Sequence, residues 1–315
     1  MNEFHSITPG SYSHDLLIHH DDHDLVAGTV AFVEQGLSSG GQVLVHSSEE
    51  RVAMLRSALG THPRLDYGLD RDLYLSPMST LFQYQRAVSQ SRGGDLWVTG
   101  TVPFGQDVAM HPAWTRYESL VNEVLGRYPF HALCTYDTRI LPAATVAAAQ
   151  ATHPCLSNGV DRVDNPGYMD PGAFITDPRA DSPYPPASRP SASATLCRSE
   201  ELRSARQLIA DTAKEASAVS RDAIDGFVLA ANEILANGLE HGIPPVKLAM
   251  WAEVSKLTCL VTDDGPGITN PLAGYRELEA DVLSGRGLWL ARRLCQELII
   301  RNSPFGGCAV LLTSA

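Results

Sequence analysis

No apolar run in the 315-residue chain approaches the roughly 18 residues a membrane helix needs; the longest small-apolar stretch is Ala143 to Ala149. The opening MNEFHSITPGSYSHD lacks the charged-then-apolar pattern of a secretion signal. Six cysteines (134, 155, 197, 259, 295, 308) lie far apart with no C-x-x-C pair. That spacing argues against a disulfide framework or a structural zinc site and predicts a reducing, cytoplasmic location. A cationic surface is also missing. Net charge is −12, and neither half of the chain is basic, which argues against direct nucleic-acid binding. No G-x-x-x-x-G-K-[ST] occurs: the Gly36–Gly41 loop runs into Gln42 without a lysine, so it is no phosphate-binding loop of that kind. What is present is a 44% apolar, 19% charged composition, long enough for two domains with real cores.

A proline-rich segment divides the chain. Seven of the twenty prolines fall in residues 161–196, and Pro/Ser/Ala mixtures lack core-forming side chains. The reading is a first domain over 1–172, a linker over 173–196 (178–196 at the least, with the stretch around Pro166–Pro178 free to pack on the first domain) and a second domain over 197–315. In the first, apolar runs at Leu16–Ile18, Val43–Val45, Leu96–Val98 and Ala132–Cys134 alternate with helix candidates near 23–37, 48–59, 78–91, 113–127 and 142–151. That alternation predicts an α/β domain, a mostly parallel sheet covered by helices. The second half reads differently. Helices are expected over Glu200–Ala216, Arg221–Glu240 and 287–297, with strands at Val246–Ala252, Leu257–Val261 and 308–313. This predicts an α+β sandwich, its helices segregated from a mainly antiparallel sheet.

Three segments of the second half carry chemistry. In NEILANGLEHG, Glu233, Asn237 and His241 recur every four residues and share one helical face. An amide oxygen suits Mg²⁺, and a carboxylate can deprotonate a nucleophile; a polar, solvated face is the alternative. In VTDDGPGI, Asp263 can accept from an exocyclic amine, while Gly265 and Gly267 let backbone approach a ligand; a turn between strands is the alternative. In Gly285-Arg286-Gly287-Leu288, glycines open a helix whose free N–H groups suit phosphate, or they form a simple loop.

Taken in order, E-x-x-x-N, D-x-G-x-G and G-x-G-L resemble the ATP-binding fold shared by gyrase, histidine kinases and MutL, the GHKL superfamily. With "PLAGY" and "GRGLWLARRLC", residues 198–315 look more like the anti-sigma-factor serine kinases of the RsbW type. The resemblance implies ATP and Mg²⁺ as cofactors. It implies Asn237 as metal ligand, Glu233 as catalytic base and Asp263 as adenine contact, with Gly265, Gly267, Gly285, Arg286, Gly287 and Leu288 in the nucleotide loops. One departure bears on the adenine contact: the usual Gly-Thr opening the last strand is Gly307-Cys308 here. No histidine lies between His153 and His241, so self-contained histidine autophosphorylation is not expected.

In the first half, HDLLIHHDDHDL, Gly40-Gly41 before QVLV, RYESLVNEVL, and LCTYDTRILP followed by ATHP resemble the methanogen/methylotroph DcmR-type sensory domain, MEDS. The resemblance implies a sensory, non-catalytic α/β domain without naming its ligand. His14, His19, His20 and His23 crowd with Asp21, Asp22 and Asp24, a set that either binds a divalent metal or merely opens a helix. Cys134, Tyr136 and Asp137 end the fourth apolar run, where open α/β sheets form their ligand crevice. The expected sensory pocket therefore gathers His14, His19, Cys134, Tyr136 and Asp137. The whole reads as a signalling regulator in which a sensory domain controls an anti-sigma-type serine/threonine kinase. Its partners would be a sigma factor or an anti-sigma antagonist protein, and possible homodimer formation is left open. The alternatives are a non-catalytic nucleotide-binding switch, or a small-molecule receptor with a structural ATP domain.

Overall fold

The computed structural model describes residues 11–90, 94–104, 111–177, 185–276, 286–303 and 306–314. It divides into two compact units, Met1–Asp181 and Ser182–Ala315.

The first unit runs β1 (Ser13–His19), α1 (Asp22–Ser38), β2 (Gln42–Ser47), α2 (Glu49–Leu59), β3 (Leu65–Leu69), α3 (Asp70–Leu73), α4 (Pro77–Gln90), β4 (Leu96–Gly100), α5 (His111–Leu125), β5 (Phe130–Asp137), α6 (Ala143–Thr152), β6 (Cys155–Ser157), β7 (Arg162–Asp164) and α7 (Pro171–Thr176). The sheet order is β3-β2-β4-β5-β1-β6-β7, all parallel except β7. β1 and β5 are buried on both faces, as parallel strands covered by helices on each side must be. On one face Leu17, Phe32, Val33, Val45, Trp97 and Leu133 pack together. Gly41 is required there: a Cβ would meet the Trp97 ring at 2.5 Å and the Asp95 carbonyl at 2.8 Å. At the start of α1, Asp21 caps the helix by accepting the Asp24 N–H at 2.8 Å. β3 and the edge pair β6/β7 were not legible as apolar runs.

The second unit runs β8 (Ala192–Leu196), a 3₁₀ turn (Ser199–Glu201), α8 (Leu202–Ala213), α9 (Arg221–His241), β9 (Val246–Glu253), β10 (Lys256–Asp263), α10 (Arg286–Leu294), β11 (Glu297–Asn302) and β12 (Cys308–Ser314). Its antiparallel sheet has the order β11-β12-β10-β9-β8. Alternate residues of β9 (Val246, Leu248, Met250) and β10 (Leu257, Cys259, Val261) meet Ile209, Phe227, Ile234 and Leu235 of the helices in one core. Burying each large side chain there contributes about 1.5–3 kcal/mol. Ser220 caps α9, accepting the Ala223 N–H at 3.2 Å.

Two boundaries differ from the sequence reading. The linker expected over 173–196 is occupied at both ends. Phe174 and Ile175 of α7 are buried in the first unit, and Ala192–Leu196 forms β8, paired to β9. The helix expected over 287–297 stops at Leu294, because Leu298-Ile299-Ile300 pairs with β12 instead. Among the described residues no helix is long and apolar enough to cross a membrane.

Candidate functional sites

In the second unit a cavity of about 260 Å³ opens between the C-terminal half of α9, the end of β10, the loop after it and the start of α10. Its walls are mostly apolar (Ile234, Val261, Ile268, Leu288, Val310), with Asn237, His241 and Asp263 as polar groups. Asn237 and His241 reach it because they lie one turn apart on α9. Asp263 reaches it as the last residue of β10. Its Oδ1 accepts the Gly265 N–H at 2.8 Å. Gly242 is packed against the same carboxylate, where a Cβ would lie 2.6 Å from Cγ.

The loop after Asp263 is held by Asn302, a residue with no motif to announce it. Its Oδ1 accepts the Ile268 N–H at 2.9 Å and its Nδ2 donates to the Ile268 carbonyl at 2.8 Å. Gly267 turns there with φ +78°, and a Cβ would strike the Asn302 Oδ1 at 2.5 Å. Cys308 pairs with Asp263 across β10 and β12 and lines the cavity. Burial pushes its thiol up to about 11, so it stands there as a neutral group. Glu233 is on the Asn237 face of α9 but does not line the cavity. It abuts the first turn of α10, where a Cβ on Gly287 would meet its Oε2 at 2.6 Å. Arg292 braces the loop from below. Its Nε donates to the Ala273 carbonyl at 3.0 Å and its Nη1 to the Leu298 carbonyl at 2.9 Å, with Cζ 3.6 Å from the centre of the Tyr275 ring. Gly285 lies outside the described residues.

In the first unit the expected sensory residues separate. Odd and even residues of a strand point to opposite faces. His14, Cys134 and Tyr136 point toward α5, where they surround Glu118. His14 Nε2 is 3.1 Å from Glu118 Oε2, Cys134 Sγ is 3.6 Å from the same oxygen, and Tyr136 Oη donates to Oε1 at 3.2 Å. His153 joins them, its Nε2 3.6 Å from Glu118 Oε2. Burial pushes the Glu118 carboxyl and Cys134 thiol up, and brings His14 down to about 4 and His153 to about 3. His19 and Asp137, adjacent in the β1–β5 register, sit instead with arginines. Arg139 makes a two-pronged contact to Asp137 at 2.9 and 2.7 Å, and Arg51 pairs with the same carboxylate. The Arg139 bonds hold Asp137 well below the usual carboxylate range. The expected single pocket is thus two polar clusters on opposite faces of the sheet. Of the His/Asp crowd at 14–24, His14 and His19 join the separate clusters above and His20 bonds Thr138, while Asp21, His23 and Asp24 stay together, exposed, at the start of α1.

Residues 13–154 match the family described as "MEDS: MEthanogen/methylotroph, DcmR Sensory domain", and residues 197–313 match "Histidine kinase-like ATPase domain". The chain joins a MEDS domain to a histidine kinase-like ATPase domain. This pairing makes it a signalling regulator. No curated protein matches the chain. Among solved structures it is similar to the catalytic domain of the histidine kinase ThkA, at 13% identity over 39% of this chain and 96% of that one, TM-score 0.25. It is also similar to the Acinetobacter baumannii histidine kinase AdeS, at 12% identity over 39% and 67%, TM-score 0.23. A third is the histidine kinase domain of the E. coli osmosensor EnvZ, at 17% identity over 41% and 90%, TM-score 0.23.

The cavity lies wholly within the ATPase domain, and of the residues the motifs pointed to there it gathers Asn237, His241, Asp263, Gly267 and Leu288. Gly265 supports it through its bond to Asp263, and Gly287 and Arg286 begin α10. In the MEDS domain, Glu118 went unrecognised within RYESLVNEVL. A glutamate in an otherwise amphipathic helix reads as solvated, yet this one is fully buried.

Proposed function

We propose that the ATPase domain binds ATP–Mg²⁺ and transfers phosphate to a serine or threonine of a protein partner. In this reading the MEDS domain sets its activity in response to a small-molecule signal. The observation that carries it is the shared placement of Asn237 and Asp263 around one mostly apolar cavity, with Glu233 on the same face of α9. The donor set fits the nucleotide. Apolar walls suit a purine ring, the Asp263 carboxylate accepts an exocyclic amine, and the Asn237 amide oxygen is a hard ligand of the kind Mg²⁺ takes. When bound, Mg²⁺ would offset phosphate charge.

The chain's own residues then have distinct duties. Asp263, held by the Gly265 N–H and by the Gly242 backbone, orients the base. The first turn of α10 presents backbone N–H groups beside Glu233, a favourable end of the helix dipole for anions. Glu233 takes the proton of the attacking hydroxyl. Partner switching, on a sigma factor or its antagonist, is the output that the RsbW-type resemblance supports. Radiolabelled ATP, Mg²⁺ and candidate partner proteins test it. Phosphoserine or phosphothreonine on the partner is expected. Nucleotide binding without transfer to any partner would replace this reading with a non-catalytic switch.

A further inference from the structure

The MEDS domain contains a group of side chains whose arrangement calls for a ligand. His14 of β1, Glu118 of α5, Cys134 of β5 and His153, just after α6, each offer one donor atom, all within 4.8 Å of one another. His14, Glu118 and His153 have no exposed surface. We propose that these four residues bind a divalent transition-metal ion, with Zn²⁺ the best match.

Three independent observations support this. The first is spacing. A tetrahedral ion with ligands near 2.1 Å has donor–donor edges of about 3.4 Å. Here His14 Nε2 to Glu118 Oε2 is 3.1 Å, His14 Nε2 to Cys134 Sγ is 3.4 Å, and Glu118 Oε2 to Cys134 Sγ and to His153 Nε2 is 3.6 Å each.

The second is the direction of the lone pairs. His153 Nδ1 bonds the Ala149 carbonyl at 2.8 Å, an acceptor only, so the proton is on Nδ1 and the Nε2 lone pair faces the cluster. That Nε2 is buried and has no hydrogen-bond partner among the described residues. His14 Nδ1 faces Asn122 Oδ1 at 3.1 Å. The amide is oriented by its own donation to the Thr152 carbonyl at 2.8 Å and the Ser119 carbonyl at 3.2 Å. His14 therefore also turns an Nε2 lone pair inward. Outer partners that fix the tautomer are the usual support of metal-bound histidine. The second oxygen of Glu118 is held by Tyr136 Oη.

The third is charge. One thiolate and one carboxylate offset a 2+ ion, so the buried assembly is neutral. Without an ion, two inward imidazole lone pairs, a carboxyl and a thiol share at most two protons, and His153 Nε2 is left unbonded. Mixed nitrogen, sulfur and oxygen donors favour Zn²⁺ or its neighbours over Mg²⁺ or Ca²⁺. Binding would expel the thiol and carboxyl protons to solvent. This inference does not depend on the ATP reading.

The test uses the full-length protein, stripped with a chelator and titrated with Co²⁺ and, by competition with a chromophoric chelator, with Zn²⁺. Wild type is expected to take one equivalent and to show intense tetrahedral Co²⁺ bands with a thiolate-to-cobalt charge-transfer band. C134S should lose the charge-transfer band, and H153Q should lower Zn²⁺ affinity at least as much as N122A. N122A, which frees His14, should weaken Zn²⁺ about 10–100-fold. The exposed trio Asp21, His23 and Asp24 is a second, weaker group, so D21N/H23N serves as control and should keep the full signal. A wild-type spectrum without tetrahedral or charge-transfer bands would overturn the proposal. So would bands that survive C134S and H153Q but vanish in D21N/H23N.

Discussion

Asp263 serves two purposes from one position: it ends β10 and tightens the following turn through the Gly265 N–H, and it leaves one carboxylate edge to the cavity. Asp263→Asn keeps the size but loses the charge-assisted acceptor, and Asn237→Ala removes an amide oxygen from the same wall. Charge-assisted hydrogen bonds contribute about 1.5–3 kcal/mol, so each variant should weaken ATP–Mg²⁺ by about 10- to 100-fold in titration calorimetry. Wild-type affinity in both would remove the nucleotide from this cavity. Glu233→Gln tests chemistry separately, since Glu233 lies outside the cavity lining. Nucleotide binding should persist while transfer falls by about 10²–10⁴, the usual contribution of a general base. In the MEDS domain, Asp137 is the clearest pH-dependent group. Its hydrogen bonds from Arg139 hold the carboxyl well below the ordinary carboxylate range, so its contribution is complete above that range, near pH 4. That contribution is lost as pH falls through the lower native value. Asp137→Asn removes the buried carboxylate shared by Arg51 and Arg139, leaving Arg139 only Asp22, and should cost about 3 kcal/mol at pH 7. Melting curves at falling pH should show the gap between variant and wild type closing; a gap constant down to strong acid would contradict the assignment.

At the scale of elements, the edges decide more than the motifs do. β8 comes from residues whose composition suggested a linker, yet Leu196 is buried in the ATPase core and the strand completes the β9 edge. A fragment 185–315 should therefore melt higher than 197–315, and Leu196→Ala in the longer fragment should lose about 2–5 kcal/mol. Equal melting of the two fragments would show β8 to be dispensable. The loop after β10 is similarly built by tertiary contact. Gly267 turns with positive φ against Asn302, so Gly267→Ala should cost at least the ~1–2 kcal/mol of a left-handed L residue and should shift the cavity wall. Chemical denaturation checks the stability and calorimetry the nucleotide affinity.

For the whole molecule, the proposed control of the ATPase domain by the MEDS domain is a coupling free energy, and such coupling is reciprocal. A signal bound to the first domain must change ATP or partner affinity by the factor by which ATP changes signal affinity, typically 5- to 150-fold. Comparing ATP affinity of the full chain with that of 185–315, with and without candidate small molecules, measures it. Identical affinities under every condition would leave the MEDS domain without influence on nucleotide binding.

By itself the sequence determined the class of each half and most of its helices. Alternating apolar runs and amphipathic stretches encode burial through local periodicity. It also singled out Asn237 and Asp263, which line one cavity, because spacing of four and a glycine-bounded aspartate are short-range signals. Only the tertiary structure decided what depends on distant partners. Ala192–Leu196 is a strand because β9 has an open edge, and Leu298–Ile300 is a strand because β12 lies beside it. His14 and His19, five residues apart, serve different clusters because a strand alternates its faces. Glu118 and His153 join His14 and Cys134 only through packing of four separate elements. No local pattern records such a meeting, since each residue alone satisfies the ordinary rules of its own helix, strand or turn.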